Sequence, residues 1–328
     1  MSTVQLSPPP AVHWITDTLQ KAGHDTWAVG GAVRDILSGH YAGDWDLTTQ
    51  ARPRQIEQLF KRTVPIGIEH GTVGVLARDG TLFEVTTFRK DIETDGRHAV
   101  VTFADTIEED LARRDFTINA LAWHPIEQKL LDPFGGLKDL EAGVLKTVGV
   151  PEKRFAEDYL RILRAFRFAG RFDLRIDEAS WKALCGGTEH LRDLSCERVR
   201  DELLKALDQH RIPSRTLSLY AKAGALGVLY PELDELRTAD HSIALNRWEF
   251  TLASIDELPP GNAFLRLAQF LHLLDPKKVV GILVRLRFSN AQTDETSQQA
   301  SASALPGLDA NDEAIRRWLS SNSPERLN

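Results

Sequence analysis

The stretch Val29-Gly30-Gly31-Ala32-Val33-Arg34-Asp35, followed by Gly43-Asp44-Trp45-Asp46-Leu47, decides how the chain reads. Thr26–Val29 is β-leaning, Gly30-Gly31 turns it into a short helix that runs to Leu37, and Asp44–Thr48 reads as a second short strand. Side chains alternate along a strand, so Asp44 and Asp46 point the same way. Two such carboxylates repel unless a cation lies between them. Magnesium suits them, since it takes one or two carboxylates together with substrate phosphates. The glycines let backbone N–H groups approach a ligand where a helix N-terminus favours anions, and Arg34 can add a forked phosphate contact. Glu84, on the face of Leu82–Arg89 shared with Thr86 and Phe88, is a candidate third carboxylate. A D-x-D pair alone also occurs in solvated turns, and Gly-Gly alone in tight turns. Joined, they suggest a nucleoside triphosphate.

Around this stretch the pattern stays mixed. Pro53–Arg62 is a helix with proline at its start, and His70–Ala77 and Thr81–Arg89 flank Asp79-Gly80, a two-residue hairpin signal. Lys90–Ala99 lacks periodicity and reads as a mobile loop. From about Pro151 the pattern turns helical, with candidates at Phe155–Phe172, Glu178–Glu189, Ser195–Asp208, Pro213–Ala223, Trp248–Glu257 and Ala263–Leu273. Gln292–Ala304, rich in Ser, Gln, Ala and Thr, reads as loosely ordered. The expected fold is α+β: a small α/β head over residues 1–150, a helical segment over 151–236 and a further helical segment over 237–328.

The segment Arg154–Arg171 carries the most geometry. On a helix, Phe155, Tyr159, Ile162, Leu163, Phe166 and Ala169 form one buried stripe, with Arg161, Arg164, Arg167 and Arg171 on the other side. Asp158 and Arg161, three apart, are neighbours, offering an acceptor beside a donor. A solvated amphipathic helix is the plainer account. Four arginines and no lysine on that face fit planar recognition of phosphate and base edges better.

Composition bounds the rest. The 328 residues hold 40 Lys and Arg against 47 Asp and Glu, a net charge of −7, which at first speaks against a nucleic-acid partner. The average hides a division: residues 1–150 carry 15 basic against 21 acidic groups, while 153–175 carry seven against three. No apolar run of about 18 residues is present, so no membrane span is expected. The two cysteines, Cys185 and Cys196, fit a reducing, cytoplasmic setting rather than a disulfide scaffold.

Val29–Asp35 with Asp44–Leu47 resembles the first motif of the class II tRNA nucleotidyltransferases (CCA-adding enzymes) and bacterial poly(A) polymerases. Further resemblances follow in that family's order. FEVTTFR (83–89) is similar to the third-carboxylate strand, EDLARRDFTINA (109–120) to the ribose-sensing motif and DPFGGLKDL (132–140) to the hinge between head and neck. EDYLR (157–161) is similar to the base-reading motif, and ERVRDEL (197–203) to the last neck motif. Together these span Trp27 to Leu233.

The resemblance implies a β-polymerase-like nucleotidyltransferase head, a small mixed sheet with helices, followed by an all-helical neck and body. It implies addition of CMP and AMP from CTP and ATP to the 3′ end of tRNA, with no nucleic-acid template. By position, Asp44 and Asp46 would hold Mg2+, with Glu84 beside them. Gly30, Gly31 and Arg34 would contact the triphosphate, and Arg113, Arg114, Asp115 and Asn119 the nucleotide sugar. Asp158 and Arg161 would read the base, and Arg164 and Arg167 would reach phosphate. Enzymes that add only CC have a shortened loop where this chain keeps Asp95-Gly96-Arg97-His98, although Ala99 replaces the usual proline. An A-only adding enzyme or a poly(A) polymerase would share these motifs. Leu245–Pro276 resembles the start of an HD phosphohydrolase module, but Leu273 stands where its aspartate belongs, which disfavours a phosphohydrolase. A non-catalytic RNA-binding protein would not need Asp44 and Asp46.

Overall fold

The computed structural model describes residues 2–3, 6–41, 43–94, 99–238 and 241–301. It forms two compact units: residues 1–161 with 174–184, and residues 162–173 with 185–328.

The first unit is built on an eight-stranded mixed sheet. Its strands are β1 (Ser2–Thr3), β2 (Thr26–Val29), β3 (Asp46–Thr49), β4 (Thr63–Gly67), β5 (Thr72–Leu76), β6 (Leu82–Thr87), β9 (Ala122–His124) and β10 (Lys129–Leu131). They lie in the order β1-β10-β9-β2-β3-β6-β5-β4. β3 and β6 run parallel, Leu47 beside Val85, and the other pairs are antiparallel. Separate from this sheet, β7 (Arg89–Thr94) and β8 (Ala99–Phe103) form a hairpin of their own.

One sheet face is closed by α1 (Pro10–Lys21), α2 (Gly31–Leu37) and α3 (Pro53–Leu59). Val12, Ile15, Leu19, Val33 and Ile56 pack there on Ala28, Leu47, Val73, Val75, Phe83 and Val85. The opposite face is covered only over part of its width. Trp27, Val29, Ala122 and Leu131 pack with Ile107 and Leu111 of α4 (Ile107–Ala112) in a second cluster. Over β6, β5 and β4 the same face leaves Glu84, Leu82, Val64 and Ile66 exposed. After β10, α5 (Gly136–Glu141) starts on the carboxylate of Asp132, which accepts the N–H of Gly136 at 2.7 Å and of Leu137 at 3.0 Å. Gly136 must lack a side chain, since a Cβ there would lie 2.1 Å from the Thr117 carbonyl oxygen.

The helical part runs through α6 (Pro151–Glu157), α7 (Leu160–Phe172), α8 (Glu178–Gly187), α9 (Cys196–Asp208), α10 (Ser214–Lys222), α11 (Ala225–Leu229), α12 (Pro231–Thr238), α13 (His241–Glu257), α14 (Ala263–Leu271), α15 (Pro276–Arg285) and α16 (Asn290–Ala300). Both cysteines are free. No helix among the described residues is long and apolar enough to cross a membrane.

Three expectations are corrected. Lys90–Ala99 is not simply a loop, because Arg89–Thr94 pairs with Ala99–Phe103, whose β-branched and aromatic run suits a strand. Gln292–Ala304 is not loosely ordered through its described part. Ser289 and Gln292 make a reciprocal capping box, and Thr293, Thr296 and Ala300 are buried, so α16 forms without an apolar stripe. The single helix expected over Phe155–Phe172 is two, broken at Asp158-Tyr159.

Candidate active site

Asp46 is the first residue of β3, and its neighbour across the parallel pair, one step before the Leu47–Val85 register, is Glu84 of β6. Asp44 lies just before the strand rather than within it. The exposed–buried–exposed run Asp44, Trp45, Asp46 still turns both carboxylates to the open side, with Trp45 in the core. Solvent reaches Asp46, yet the protein around it strips away part of its hydration. That desolvation, then the like charges of Glu84 and Asp44, push its pKa up to about 6 against the opposing pull of Arg114. Three acids thus share one field.

Gly30 forms the turn before α2 with a φ of 71°, a conformation that favours glycine. A Cβ there would lie 3.2 Å from Arg114 Nη1 and 3.9 Å from Asp46 Oδ2. The bare backbone therefore brings the turn against both the guanidinium and the carboxylate. Gly31 opens α2. Arg34, by contrast, does not offer a free fork: it is 4% exposed, donates from Nε and Nη2 to Asp35 Oδ1, and from Nη1 to Asn119 Oδ1.

Asp110, Arg113, Arg114, Asp115 and Asn119 are linked by hydrogen bonds. Asn119 Nδ2 donates to Asp115 Oδ1 at 2.9 Å, and Asp115 also accepts the Phe116 N–H. Arg114 donates to the Asn119 carbonyl at 3.3 Å and to Asp110 Oδ2 at 3.1 Å, while Arg113 Nε reaches Asp110 Oδ1 at 3.2 Å. Burial alone would raise the Asp110 pKa, but the Arg114 and Arg113 charges outweigh it and hold the carboxyl below its usual range. Asp110 was not singled out from sequence. Its position three and four residues before two adjacent arginines at the end of a helix was the available signal.

Asp158 and Arg161 belong to the same unit as these residues. Asp158 ends α6 in an extended conformation, and its Oδ1 accepts the Leu160 N–H at 3.0 Å, so it also starts α7. Arg161 donates to Glu157 Oε2, to the Arg154 carbonyl and to the Arg113 carbonyl. Arg154, a second residue missed from sequence, spans the carbonyls of Ala112, Arg113 and Val148. Residues 154–161 are thereby tied to the backbone of Ala112 and Arg113.

Arg164 and Arg167 lie in the other unit. Arg167, expected to reach phosphate, is 5% exposed and donates from Nε to the buried Glu202 Oε2 at 2.7 Å. Arg164 lies 3.9 Å from Glu202 Oε1 and over the Phe168 ring. Arg167 is shut from solvent because α9 presents the buried Glu202 to it, while Arg164 stays half-buried. Of the loop motif Asp95–His98, all four residues fall outside the described residues. In the distal motif, His272 Nδ1 lies 2.7 Å from the Gln269 carbonyl and Asp275 caps α15, both local tasks. No group of three or more metal-ligating side chains is gathered among the described residues. Two carboxylates that repel each other, beside a turn suited to phosphate, fit a magnesium ion that arrives with a triphosphate.

Residues 26–146 match the poly A polymerase head domain family, and residues 173–237 match a family described as the probable RNA and SrmB-binding site of polymerase A. The CCA-adding enzyme of Geobacillus sp. (strain WCH70) is 42% identical over 230 residues, 69% of this chain and 56% of that one. That of Geobacillus kaustophilus (strain HTA426) is 35% identical over 310 residues, 94% of this chain and 73% of that one. Against four curated CCA-adding enzymes, including the first of these, the chain spans between 48% and 63% of their length. Among solved structures, the Bacillus stearothermophilus CCA-adding enzyme in complex with CTP superposes with a TM-score of 0.63 at 29% identity, covering 97% of this chain and 84% of that one.

Proposed function

Because the chain belongs to the CCA-adding enzyme family, we propose that it adds CMP and AMP from CTP and ATP to the 3′ end of tRNA, without a nucleic-acid template and with release of pyrophosphate. The observation that carries this reading is the carboxylate field at Asp46, set beside the Gly30 turn and Arg114 on the half-open sheet face. Asp44 and Asp46 would hold Mg2+, with Glu84 adding charge beside them. When bound, that ion supplies charge neutralisation on the phosphates and activation of the attacking hydroxyl.

The chain's own residues do the rest. Gly30 and Gly31 let backbone N–H groups approach the triphosphate, and Arg114 places positive charge between that turn and Asp46. Asp115 and Asn119 face the sugar as one hydrogen-bonded pair, and Arg34 holds Asn119 in place from behind. Asp158 and Arg161 set the donor–acceptor pattern that prefers C and A over U and G. Arg164 supplies charge for phosphate, and Arg167 serves through Glu202 as its support. Residues 1–150 form the head, 151–236 the neck and body, and 237–328 a degenerate HD-like segment, in a cytoplasmic protein.

The test offers tRNAs ending before CCA, after C and after CC, with labelled CTP or ATP. Extension of all three supports complete CCA addition. Extension of only the CC-ending tRNA, by ATP alone, replaces it with an A-adding reaction.

A further inference from the structure

The half-open sheet face carries more than the carboxylates. Across antiparallel β5 and β6, Gly74 sits opposite Glu84, and across β4 and β5, Val64 sits opposite Gly74, so these positions share one face. On that face Val64, Ile66 and Leu82 are 37%, 40% and 46% exposed. They are not scattered. A Cβ at Gly74 would lie 2.6 Å from Ile66 Cδ1 and 2.9 Å from Leu82 Cδ1, so both side chains reach across the glycine and close over it. The result is an apolar shelf that begins beside Glu84 and ends at the outermost strand. With strands about 4.8 Å apart, the shelf lies within roughly 15 Å of Asp46.

Its outer end is basic. The Leu76 N–H donates to the Arg62 carbonyl at 3.0 Å, which extends the register and puts Arg62 on the same face, two residues before Val64. Arg62 and Lys61 are both exposed. An apolar surface rimmed by cations and continuous with the catalytic carboxylates suits a polyanion whose bases can lie flat. Pairing with a further β-strand suits it less. Pro65 removes an N–H from β4, and the register shifts between Pro65 and Gly67, which interrupts the outer hydrogen-bonding row.

We infer that the Ile66–Leu82 shelf over Gly74 holds the unpaired nucleotides just upstream of the tRNA 3′-hydroxyl, stacking their bases while Arg62 meets the phosphate. This rests on the function proposed above, since the terminal hydroxyl must then sit at Asp44 and Asp46. The shelf positions the acceptor and does not touch the incoming triphosphate.

The experiment measures acceptor and CTP kinetics, melting temperature and anisotropy of a labelled RNA ending in CC, for Ile66→Ser, Leu82→Ser, Ile66→Leu and Arg62→Ala. The serine variants raise KM for tRNA and weaken RNA binding roughly ten-fold, with KM for CTP and melting temperature unchanged. Ile66→Leu keeps the wild-type values, and Arg62→Ala lowers the salt slope of RNA binding by about one. Serine variants that bind RNA and extend tRNA as the wild type does overturn the shelf while leaving the parent function standing. A wild type that extends no tRNA overturns the parent function, and RNA binding then decides the shelf separately. A dimer that Ile66→Ser dissolves, with RNA affinity unchanged, gives the patch to a second copy of the chain and overturns the inference.

Discussion

In the head unit, Arg113 and Arg114 share the buried carboxylate of Asp110, and Arg114 still acts on Asp46 across the Gly30 turn. In the helical unit, Arg266 is wholly buried. Its guanidinium donates to the Leu207 and His210 carbonyls at 2.6 and 2.5 Å and to the Leu258 carbonyl at 2.5 Å, joining the ends of α9 and α13 to α14. The two arrangements use the same residue for different ends. Both charges act on a neighbour, Arg114 on Asp46 and Arg266 on His210, but Arg114 does so beside the open carboxylates, whereas Arg266 commits four of its five N–H groups to closing helix ends. Charge count alone does not separate them; their surroundings do.

Replacing Asp46 with Asn tests the head side most severely. Nucleotide incorporation falls roughly 10^3-fold or more, while thermal melting holds or rises because a repelling charge is gone. Unchanged incorporation would remove the catalytic reading of the carboxylate field. On the helical side, Arg167→Met removes the shortest ion pair of the buried Glu202, leaving it Lys205 at 3.5 Å and Arg164 at 3.9 Å, and costs about 3 kcal/mol in urea unfolding. The double variant Arg167→Met/Glu202→Leu recovers most of that loss, and a failure to recover would mean that Arg167 does more than pair.

The third expectation uses His210. Burial first, then the charges of Arg167, Arg171 and Arg266, lower its pKa from 6.5 to about 3. The folded form therefore keeps His210 neutral while the unfolded chain protonates near pH 6.5. Stability from this group is complete above pH 6.5 and declines by roughly 1.4 kcal/mol per pH unit as pH falls toward 3. His210→Gln flattens that part of the unfolding profile; if the slope persists, another group carries it. The smallest effect is at the turn. Gly30→Ala, strained by its φ and pressed on Arg114, costs about 1 kcal/mol and lowers triphosphate affinity. Gly23→Ala, with a φ of 85° and open space around it, costs similar stability but leaves affinity intact.

The head was largely legible because its signals are local. The Gly30 turn, the Asp79-Gly80 hairpin and the Trp45 alternation each announce a backbone state within a few residues, and β2, α2, β5 and β6 stand close to where their sequences place them. Two parts were not legible. Helical periodicity cannot see that Asp158 accepts the N–H of Leu160, so the break between α6 and α7 was read as continuous helix. Nor can it see a partner on a distant helix, so nothing near Arg167 in sequence announces Glu202, 35 residues later, as its partner. In the site, the motif residues were visible by type, but Arg34 facing Asn119 and Arg161 bound to the Arg113 carbonyl are tertiary facts.

The strand order has a consequence for how the molecule is made. β2 lies between β3 and β9, so the sheet beside Asp46 is complete only after residues 122–131 have been synthesised, and the parallel β3–β6 pair requires a long crossover first. Pairings so distant in sequence form slowly. The acidic mouth therefore depends on pairings that join residues far apart in the chain. A truncated chain ending before Ala122 would carry both aspartates and lack the strand that closes the sheet behind them.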